Sequence, residues 1–225
     1  MRSGVNWEER YEFGSDTQLT EVHDNALVGY RYRWCDYAQR ATSTSQAEPE
    51  FNYSTLDTSV LGCILEAATG TQVATYMAQK IWQPAGMEYS GYWIMDGKEP
   101  QGDEFYGAGF NATLRDLGRF GQMMLNQGVA NQQQLVSPDW VRTSTTPDAG
   151  FEPTEAGAAL GYQYQWWTLP DSNAYMAIGL FNQFIYIDPD TETVIVKLSY
   201  PESPLGDEAG HLQLFQQIVA QVSAL

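Results

Sequence analysis

The chain has 225 residues, 43% of them hydrophobic, and is long enough to bury one sizeable core or two subdomains that share one. Its formal net charge of −17 argues against nucleic acid or an anionic membrane as a partner, because both would repel the chain, whereas a strongly hydrated surface would explain the charge. No apolar run reaches the length of a membrane span, and the N-terminus has no apolar signal-peptide core.

The first part of the chain has mainly helical periodicity. Residues 17–40 are predicted to form one helix, although Gly29 weakens it, and the polar run over residues 41–50 predicts a loop. A further helix is predicted from Thr71, with Pro84 closing it. We therefore expect several helices ahead of the first strand.

Tyr53 stands immediately before a well-formed helix start. Ser54 can act as N-cap and Asp57 occupies the third helical position, which is the S-x-x-D form of a capping box. Gly70 supplies a C-terminal stop. Between them, apolar residues recur at helical spacing at Leu56, Val60, Leu61, Ile64, Leu65 and Ala68. The segment holds a phenol at a helix start, a position suited to acid–base chemistry.

Two later helix starts have similar capping chemistry. Thr113 and Asp116 form another capping box ahead of an apolar run. Ser137 with Pro138 supplies an N-cap and a first-turn proline. Helices are predicted to begin at both positions.

After residue 160 the period changes to that of a strand. Residues 162–167 alternate in the two-residue repeat of a single strand. Three more strands are predicted at hairpin spacing, at residues 175–180, 183–188 and 193–200. Pro189-Asp190 is a turn signal between the last two. A terminal amphipathic helix follows, with Leu212, Phe215, Ile218, Val219 and Val222 on one face. The sequence therefore predicts an antiparallel meander with a helix covering one face.

Cysteine and histidine are scarce. Cys35 and Cys63 are separated by a polar loop and nothing in the sequence shows that they meet, so we expect two unpaired thiols, with a disulfide as the alternative. His23 and His211 are the only histidines, and neither C-x-x-C nor H-E-x-x-H spacing occurs. We expect no metal and no cofactor.

The segment FNYSTLDTSVLGCILEAATG, residues 51–70, resembles the second motif of the serine hydrolases related to penicillin-binding proteins and class C β-lactamases. The branch with esterases and 6-aminohexanoate-dimer hydrolase is the most similar. MRSGVNWEERY resembles the loop that follows the family's nucleophile helix. KIWQPAGMEYSGYW, GFNATLRDLGRFGQMML and AIGLFNQFIYIDPDTETVIVKLS resemble later landmarks, in the family's order. This order is more specific than any single segment.

The family's nucleophile lies in an S-x-x-K motif, which this chain lacks. Its lysines, with the residue three positions earlier, are Lys80 with Met77, Lys98 with Met95 and Lys197 with Val194. The simplest interpretation is a fragment that starts downstream of the first motif, with the N-terminal strands and the nucleophile helix missing. The missing part would also carry any targeting signal, which leaves the location open and a periplasmic or secreted one compatible.

At the start of the predicted helix, the resemblance implies two site residues. Tyr53 matches the family's tyrosine, which shares proton transfer with the lysine. Thr55 stands where the family often has Asn, Gly or Ser, and would contact substrate. The alternatives are that Tyr53 is an interface aromatic with a satisfied hydroxyl, and that Ser54, whose capping role already explains it, is the nucleophile.

The resemblance places the third motif at residues 179–183. Gly179 would border the substrate and the backbone N–H of Leu180 would donate to the developing oxyanion. Phe181 and Asn182 replace the family's basic or small residues, and an ordinary strand with a glycine bulge is the alternative. Trp166 precedes the motif at about the family's spacing and would line an acyl pocket, with core or rim packing as the alternative.

The predicted fold is α+β and β-lactamase/transpeptidase-like, with a mainly helical subdomain at residues 1–160 and an antiparallel sheet with a terminal helix at residues 161–225, in one structural unit. The implied function is hydrolysis of an ester or amide through an acyl-serine intermediate. A non-catalytic remnant or binding module of the same fold is the alternative, since the nucleophile is absent from the chain. Glycoside chemistry is disfavoured, because no pair of carboxylates stands in a recognisable arrangement.

The expected partner is a small-molecule ester or amide, and the chain alone is expected to be inactive. Residues 193–200 are β-prone, with Lys197 the only charge to discourage pairing. If the strands that pair with this segment in the resembled fold are absent, the sheet edge is open. A homo-oligomer through that edge is therefore predicted.

Overall fold

The computed structural model describes residues 1–12, 14–44, 50–98, 102–147, 160–169, 171–203 and 205–222. The chain forms two compact units. The first unit comprises Met1–Gln79 and Gly91–Asn111, and the second comprises Lys80–Ser90 and Ala112–Leu225. Residues 45–49 of the predicted loop lie outside the described residues.

The described residues combine helices with antiparallel strands, which confirms the α+β prediction. The α-helices are α1 Gln18–Val22, α2 Trp34–Ala38, α3 Thr55–Thr69, α4 Val73–Met77, α5 Leu114–Leu125, α6 Pro138–Thr145 and α7 Glu208–Val222. The π-helical segments His23–Val28 and Ala78–Trp82 continue α1 and α4. The strands are β1 Tyr92–Trp93, β2 Phe110–Asn111, β3 Val129–Ala130, β4 Gln133–Gln134, β5 Gly161–Gln163, β6 Trp166–Thr168, β7 Tyr175–Gly179, β8 Gln183–Asp188 and β9 Thr193–Lys197.

The predicted helix caps are confirmed. The Ser54 hydroxyl oxygen accepts a hydrogen bond from the backbone N–H at position 57, at 3.0 Å. Thr113 caps α5 in the same way at 3.2 Å, and Ser137 caps α6 at 3.1 Å. At its other end α3 stops at Gly70, whose φ of 64° suits glycine. Local capping chemistry therefore sets the start of all three helices.

The single helix predicted for residues 17–40 is wrong. α1 runs into the π-helical segment, the chain leaves the helix at Gly29, and α2 begins only at Trp34. Tyr30 takes a φ of 49°, which breaks the helical path. The apolar periodicity continued through the break because aliphatic residues ahead of it and aromatic residues after it pack into the same core.

The single strand predicted for residues 162–167 is also wrong. Tyr164 and Gln165 take φ values of 42° and 75°, so they form a two-residue turn between β5 and β6. Gln163 pairs directly with Trp166 across it. Such turns usually contain asparagine or glycine, and neither residue is present in this one.

The sheet is an antiparallel meander, as predicted, but it has five strands in the order β5-β6-β7-β8-β9 and not the predicted four. Successive side chains of β8 point to opposite faces. Phe184 packs with Phe215 of α7 on one face, whereas Ile185 joins the cluster that contains Met123 of α5 on the other. The predicted terminal helix thus covers one face of the sheet.

α5 approaches the sheet closely at Gly121. A Cβ atom there would lie 2.7 Å from Cγ1 of Val194, so only glycine fits without a shift. Because α5 packs on β8 and β9, it belongs to the same compact unit as the sheet. The two units therefore divide the chain differently from the predicted ranges 1–160 and 161–225.

The first unit is built on an aromatic core and a disulfide. The rings of Trp34 and Phe105 stack at 4.9 Å, in a buried cluster that also contains Trp7. Cys35 of α2 is bonded to Cys63 of α3, so the expectation of two unpaired thiols is wrong. The pairing depends on how α2 packs against α3, which a separation of 28 residues in sequence does not disclose. In the part of the chain that the structure describes, every helix is too short or too polar to cross a membrane.

Candidate active site

The predicted site residues form two groups, one in each unit. Tyr53 and Thr55 lie at the start of α3 in the first unit. In the second unit Trp166 lies on β6, while Gly179 ends β7 and Leu180 begins the turn into β8.

Tyr53 is half-buried and directly precedes the N-cap of α3. The N-cap residue, Ser54, is 2% exposed. Its hydroxyl accepts the capping bond from the Asp57 N–H and donates to Oδ1 of Asp57 at 3.1 Å. Both functions of the Ser54 hydroxyl are used by the cap, which supports a structural role for this serine.

Thr55 is bound by a glutamate from the loop at residues 7–11. Its backbone N–H donates to Oε2 of Glu9 at 2.7 Å, and its hydroxyl donates to Oε1 at 3.2 Å. The indole Nε1 of Trp7 donates to Oε2 at 2.5 Å, and the Tyr11 hydroxyl donates to Oε1. These four residues are called the Glu9 cluster below. A carboxylate is well placed here, because the first N–H groups of a helix carry a partial positive charge.

The phenol of Tyr11 lies beside the predicted catalytic tyrosine. Burial raises the pKa of Tyr11, and the charges of Glu9 and Tyr53 raise it further. Tyr11 is therefore a neutral hydroxyl close enough to Tyr53 to interact with it electrostatically.

Sequence reasoning missed Glu9 and Tyr11, although a signal was present. Trp7, Glu9 and Tyr11 follow at two-residue spacing, which puts alternate side chains of an extended loop on one side. An acid between two aromatic hydrogen-bond donors at that spacing indicates a local cluster. Nothing in the sequence connects it to Thr55, which is 46 residues from Glu9.

In the second unit, the third-motif segment forms the turn between β7 and β8. Gly179 pairs with Gln183, and Leu180 is 36% exposed. Phe181 and Asn182 follow with φ values of 62° and 59°. Asparagine tolerates this left-handed conformation, whereas phenylalanine adopts it at a cost of about 1 kcal/mol or more. The turn must therefore be held by its surroundings.

A polar network holds that turn. Nζ of Lys197 donates to the carbonyl oxygen of Asn182 at 3.2 Å and to Oγ of Ser199 at 2.7 Å. The Ser199 hydroxyl donates to the Phe181 carbonyl at 2.8 Å. Gln183 and Ser199 exchange side-chain-to-backbone bonds of 2.5 and 3.2 Å. Sequence reasoning treated Lys197 only as a charge on the strand and missed this network.

Trp166 is packed rather than open. Its ring stacks on Phe120 at 6.2 Å and meets Tyr175 edge-on at 5.1 Å, in the cluster between α5 and the sheet. These contacts agree with the alternative that Trp166 is a packing residue, and its contact with substrate stays a prediction. Among the described residues, no group of three or more His, Cys, Asp or Glu side chains is arranged to hold a metal ion.

A five-stranded antiparallel sheet between α5 and α7, together with a capped helix that starts just after a tyrosine, defines the fold class of serine β-lactamases and penicillin-binding proteins. Residues 1–217 match the Beta-lactamase family, and the chain belongs to that family. The resemblance to this serine hydrolase superfamily is therefore confirmed.

Among curated proteins, the chain is 33% identical over 158 residues to 6-aminohexanoate-dimer hydrolase of Paenarthrobacter ureafaciens. This match covers 67% of the chain and 39% of that protein. The matched segment thus covers well under half the length of this relative.

Two solved structures illustrate the shared fold. A Bacillus anthracis protein provisionally named a 6-aminohexanoate-dimer hydrolase has a TM-score of 0.81 at 27% identity, over 100% of this chain and 60% of that one. A β-lactamase of Mycobacterium bovis has a TM-score of 0.62 at 18% identity, over 98% and 79%. The second likeness bears on the fold alone.

Proposed function

We propose that the chain forms part of a serine hydrolase that cleaves an ester or amide through an acyl-serine intermediate. The observation that carries the proposal is Tyr53, half-buried at the capped start of α3 in a chain of this family. The packing of Thr55 on Glu9 fixes the backbone next to it. A tyrosine held at that place suits proton transfer to and from a neighbouring nucleophile.

In the proposed reaction, a serine oxygen attacks the substrate carbonyl and its proton passes to the phenolate oxygen of Tyr53. The carbonyl oxygen becomes an oxyanion, to which the backbone N–H of Leu180 donates. Collapse of the adduct breaks the ester or amide bond, and the leaving group takes the proton from Tyr53. Water then attacks the acyl-serine and gives its proton to Tyr53. As this second adduct collapses, the bond to serine breaks, the serine oxygen takes the proton from Tyr53, and the carboxylic acid is released.

The proton transfer sets a requirement on the surroundings of Tyr53. A phenol with an ordinary pKa of about 10 accepts a proton near neutral pH only beside a cation. In the resembled family that cation is the lysine of S-x-x-K, a motif that does not occur in the 225 residues. The proposed catalyst therefore needs a segment carrying both the serine and the lysine.

The names of the two hydrolase relatives guide the choice of substrate. Both are called 6-aminohexanoate-dimer hydrolases, and a dimer of an amino acid is joined by an amide bond. Short linear amide oligomers are therefore the first substrates to assay, followed by short-chain esters, peptides and β-lactams.

Fluorophosphonate labelling tests the proposal. One sample is the purified chain, and the other is a longer form, called the S-x-x-K form below, in which a segment carrying S-x-x-K precedes Met1. We expect label on the added serine of the S-x-x-K form and none on the chain alone. Label on the chain alone, abolished by Ser54→Ala, would make Ser54 the nucleophile and overturn the scheme.

The absence of S-x-x-K from the sequence favours a second candidate, a non-catalytic binding or remnant module of the same fold. A folded S-x-x-K form that takes no label and hydrolyses no substrate would support it.

A further inference from the structure

The Glu9 cluster has a defined direction of hydrogen bonding. An ionised carboxylate only accepts, so all four contacts of Glu9 are donated to it by Trp7, Tyr11 and Thr55. The Tyr11 proton consequently points at Glu9. Tyr11 can therefore only accept hydrogen bonds from its other neighbours, through an oxygen lone pair.

The position of Tyr53 makes this direction matter. Tyr11 and Tyr53 interact electrostatically, so the two phenols are neighbours at the start of α3. If the Tyr11 hydroxyl were free to rotate, its proton could turn toward Tyr53 and stabilise negative charge on that oxygen. Such an interaction stabilises a phenolate and weakens it as a base.

We propose that Glu9 is a positioning residue of the candidate active site, which anchors the start of α3 through Thr55 and holds the Tyr11 proton away from Tyr53. Tyr53 thereby keeps its strength as a base. The inference rests on the proposed function for its catalytic consequence, but the direction of the Tyr11 hydrogen bond stands independently of it.

The substitution Glu9→Gln changes the direction of the hydrogen bond with Tyr11 and keeps the packing of the side chain at position 9. A glutamine amide has the same shape, and its oxygen can accept from the Trp7 indole and the Thr55 N–H. Its NH₂ group would then face the hydroxyls of Tyr11 and Thr55, which can rotate and accept. The fold is retained while the Tyr11 proton is released. Glu12→Gln is the matched control, because it makes the same change at an exposed position of the same chain segment.

The first measurement is NMR on the 225-residue chain. The resonances of the Trp7 indole proton, the Thr55 amide proton and the Tyr11 hydroxyl proton should all shift in Glu9→Gln, because all three protons are donated to Glu9. Glu12→Gln should leave all three resonances unchanged. A Tyr11 hydroxyl proton that does not shift in Glu9→Gln, or equal shifts in Glu12→Gln, would overturn the proposal.

The second measurement is kinetic, in the S-x-x-K form. Glu9→Gln should lower kcat by about 10- to 100-fold, the range expected for a hydrogen bond to a charged group, with KM unchanged. The pH at which kcat/KM rises should move down, since Tyr53 becomes a weaker base, and Glu12→Gln should leave both quantities unchanged. An unchanged pH profile in Glu9→Gln would refute the catalytic consequence. If Tyr53→Phe is fully active, the proposed function fails instead, and the NMR result alone decides the role of Glu9.

Discussion

A charged side chain binds each of two regions, the start of α3 and the turn between β7 and β8. The charge is negative in the first region and positive in the second. At the start of α3, Glu9 accepts hydrogen bonds from a helix N–H and from side-chain donors. At the turn, Lys197 donates to the carbonyl oxygen of Asn182 and to Ser199. A helix start presents unsatisfied N–H groups and therefore suits an anion. A left-handed turn that leaves carbonyl oxygens unpaired suits a cation.

The difference has a consequence for catalysis. In the proposed reaction the start of α3 moves protons, so the direction of each hydrogen bond there affects reactivity. The role proposed for the turn is a backbone donor at Leu180, and such a role depends on backbone geometry alone. Substitutions should therefore change chemistry in the first region and mainly stability in the second.

The largest expected effect is that of Tyr53→Phe in the S-x-x-K form. The change removes one hydroxyl and keeps the ring, so turnover should fall by about 10²- to 10⁴-fold, the usual contribution of a general acid–base group. The unfolding midpoint should move little. Steady-state kinetics and thermal unfolding measure the two, with Tyr200→Phe, at a residue 88% exposed, as the control. An unchanged rate would leave Tyr53 with packing alone and remove the contrast between the regions.

Removing the disulfide should destabilise the first unit. It closes a loop with a sequence separation of 28 residues, for which chain entropy predicts a loss of about 3 to 4 kcal/mol on changing Cys35 and Cys63 to serine. Amide exchange should accelerate in α2 and α3 and stay unchanged in the five-stranded sheet. Reduction of the unmodified chain should reproduce the effect. Equal free energies of unfolding for the two proteins would show that packing alone holds α2 on α3.

The bond between Cys35 and Cys63 also bears on the open question of location. Disulfides form and persist in oxidising compartments. We propose, on this basis, that the protein matures in the periplasm or outside the cell.

Lys197→Met should loosen the turn in the second unit. It removes the donor to the Asn182 carbonyl and to Ser199, so the free energy of unfolding should fall by about 1 to 2 kcal/mol. Amide exchange should accelerate at the turn, whereas Lys98→Met, at an exposed lysine of the first unit, should have no effect. Unaltered exchange at Phe181 and Asn182 would mean that the strand pairing alone holds the turn.

The first unit also buries carboxyl groups, so its stability should depend on pH. Burial raises the pKa of Asp103 to about 6, against the opposing effect of Arg33. The unfolded value is about 3.9, so the folded state holds the proton longer and stability is lost as the pH rises from about 4 to about 6. Between pH 4 and 7 the free energy of unfolding of the unmodified chain should fall by about 1 to 2 kcal/mol more than that of Asp103→Asn.

Denaturant unfolding across this pH range measures the difference, with the exposed Asp171→Asn as control. Parallel curves for the chain and Asp103→Asn would show that the Arg33 contact keeps Asp103 ionised throughout.

The sequence predicted what local chemistry determines and missed what distant contacts determine. The caps at Ser54, Thr113 and Ser137 were predictable, because each needs only residues within one helical turn. The Cys35–Cys63 bond was not predictable, nor was the contact of Glu9 with Thr55, because each joins segments far apart in sequence. The turn at Tyr164 was missed for a different reason, since neither of its residues favours a positive φ.

The smallest expected effect is self-association through β9. Among the described residues, β9 pairs with β8 on one side and no strand is paired on its other side. Lys197, the charge expected to discourage pairing, is bonded to Asn182 and Ser199 instead, which weakens that protection. The net charge of −17 opposes association of two copies and should keep it weak. Light scattering should show a dimer that grows with protein and salt concentration, with slowed amide exchange at residues 194–198. A monodisperse monomer at high concentration, with fast exchange there, would show that the edge is open and tolerated.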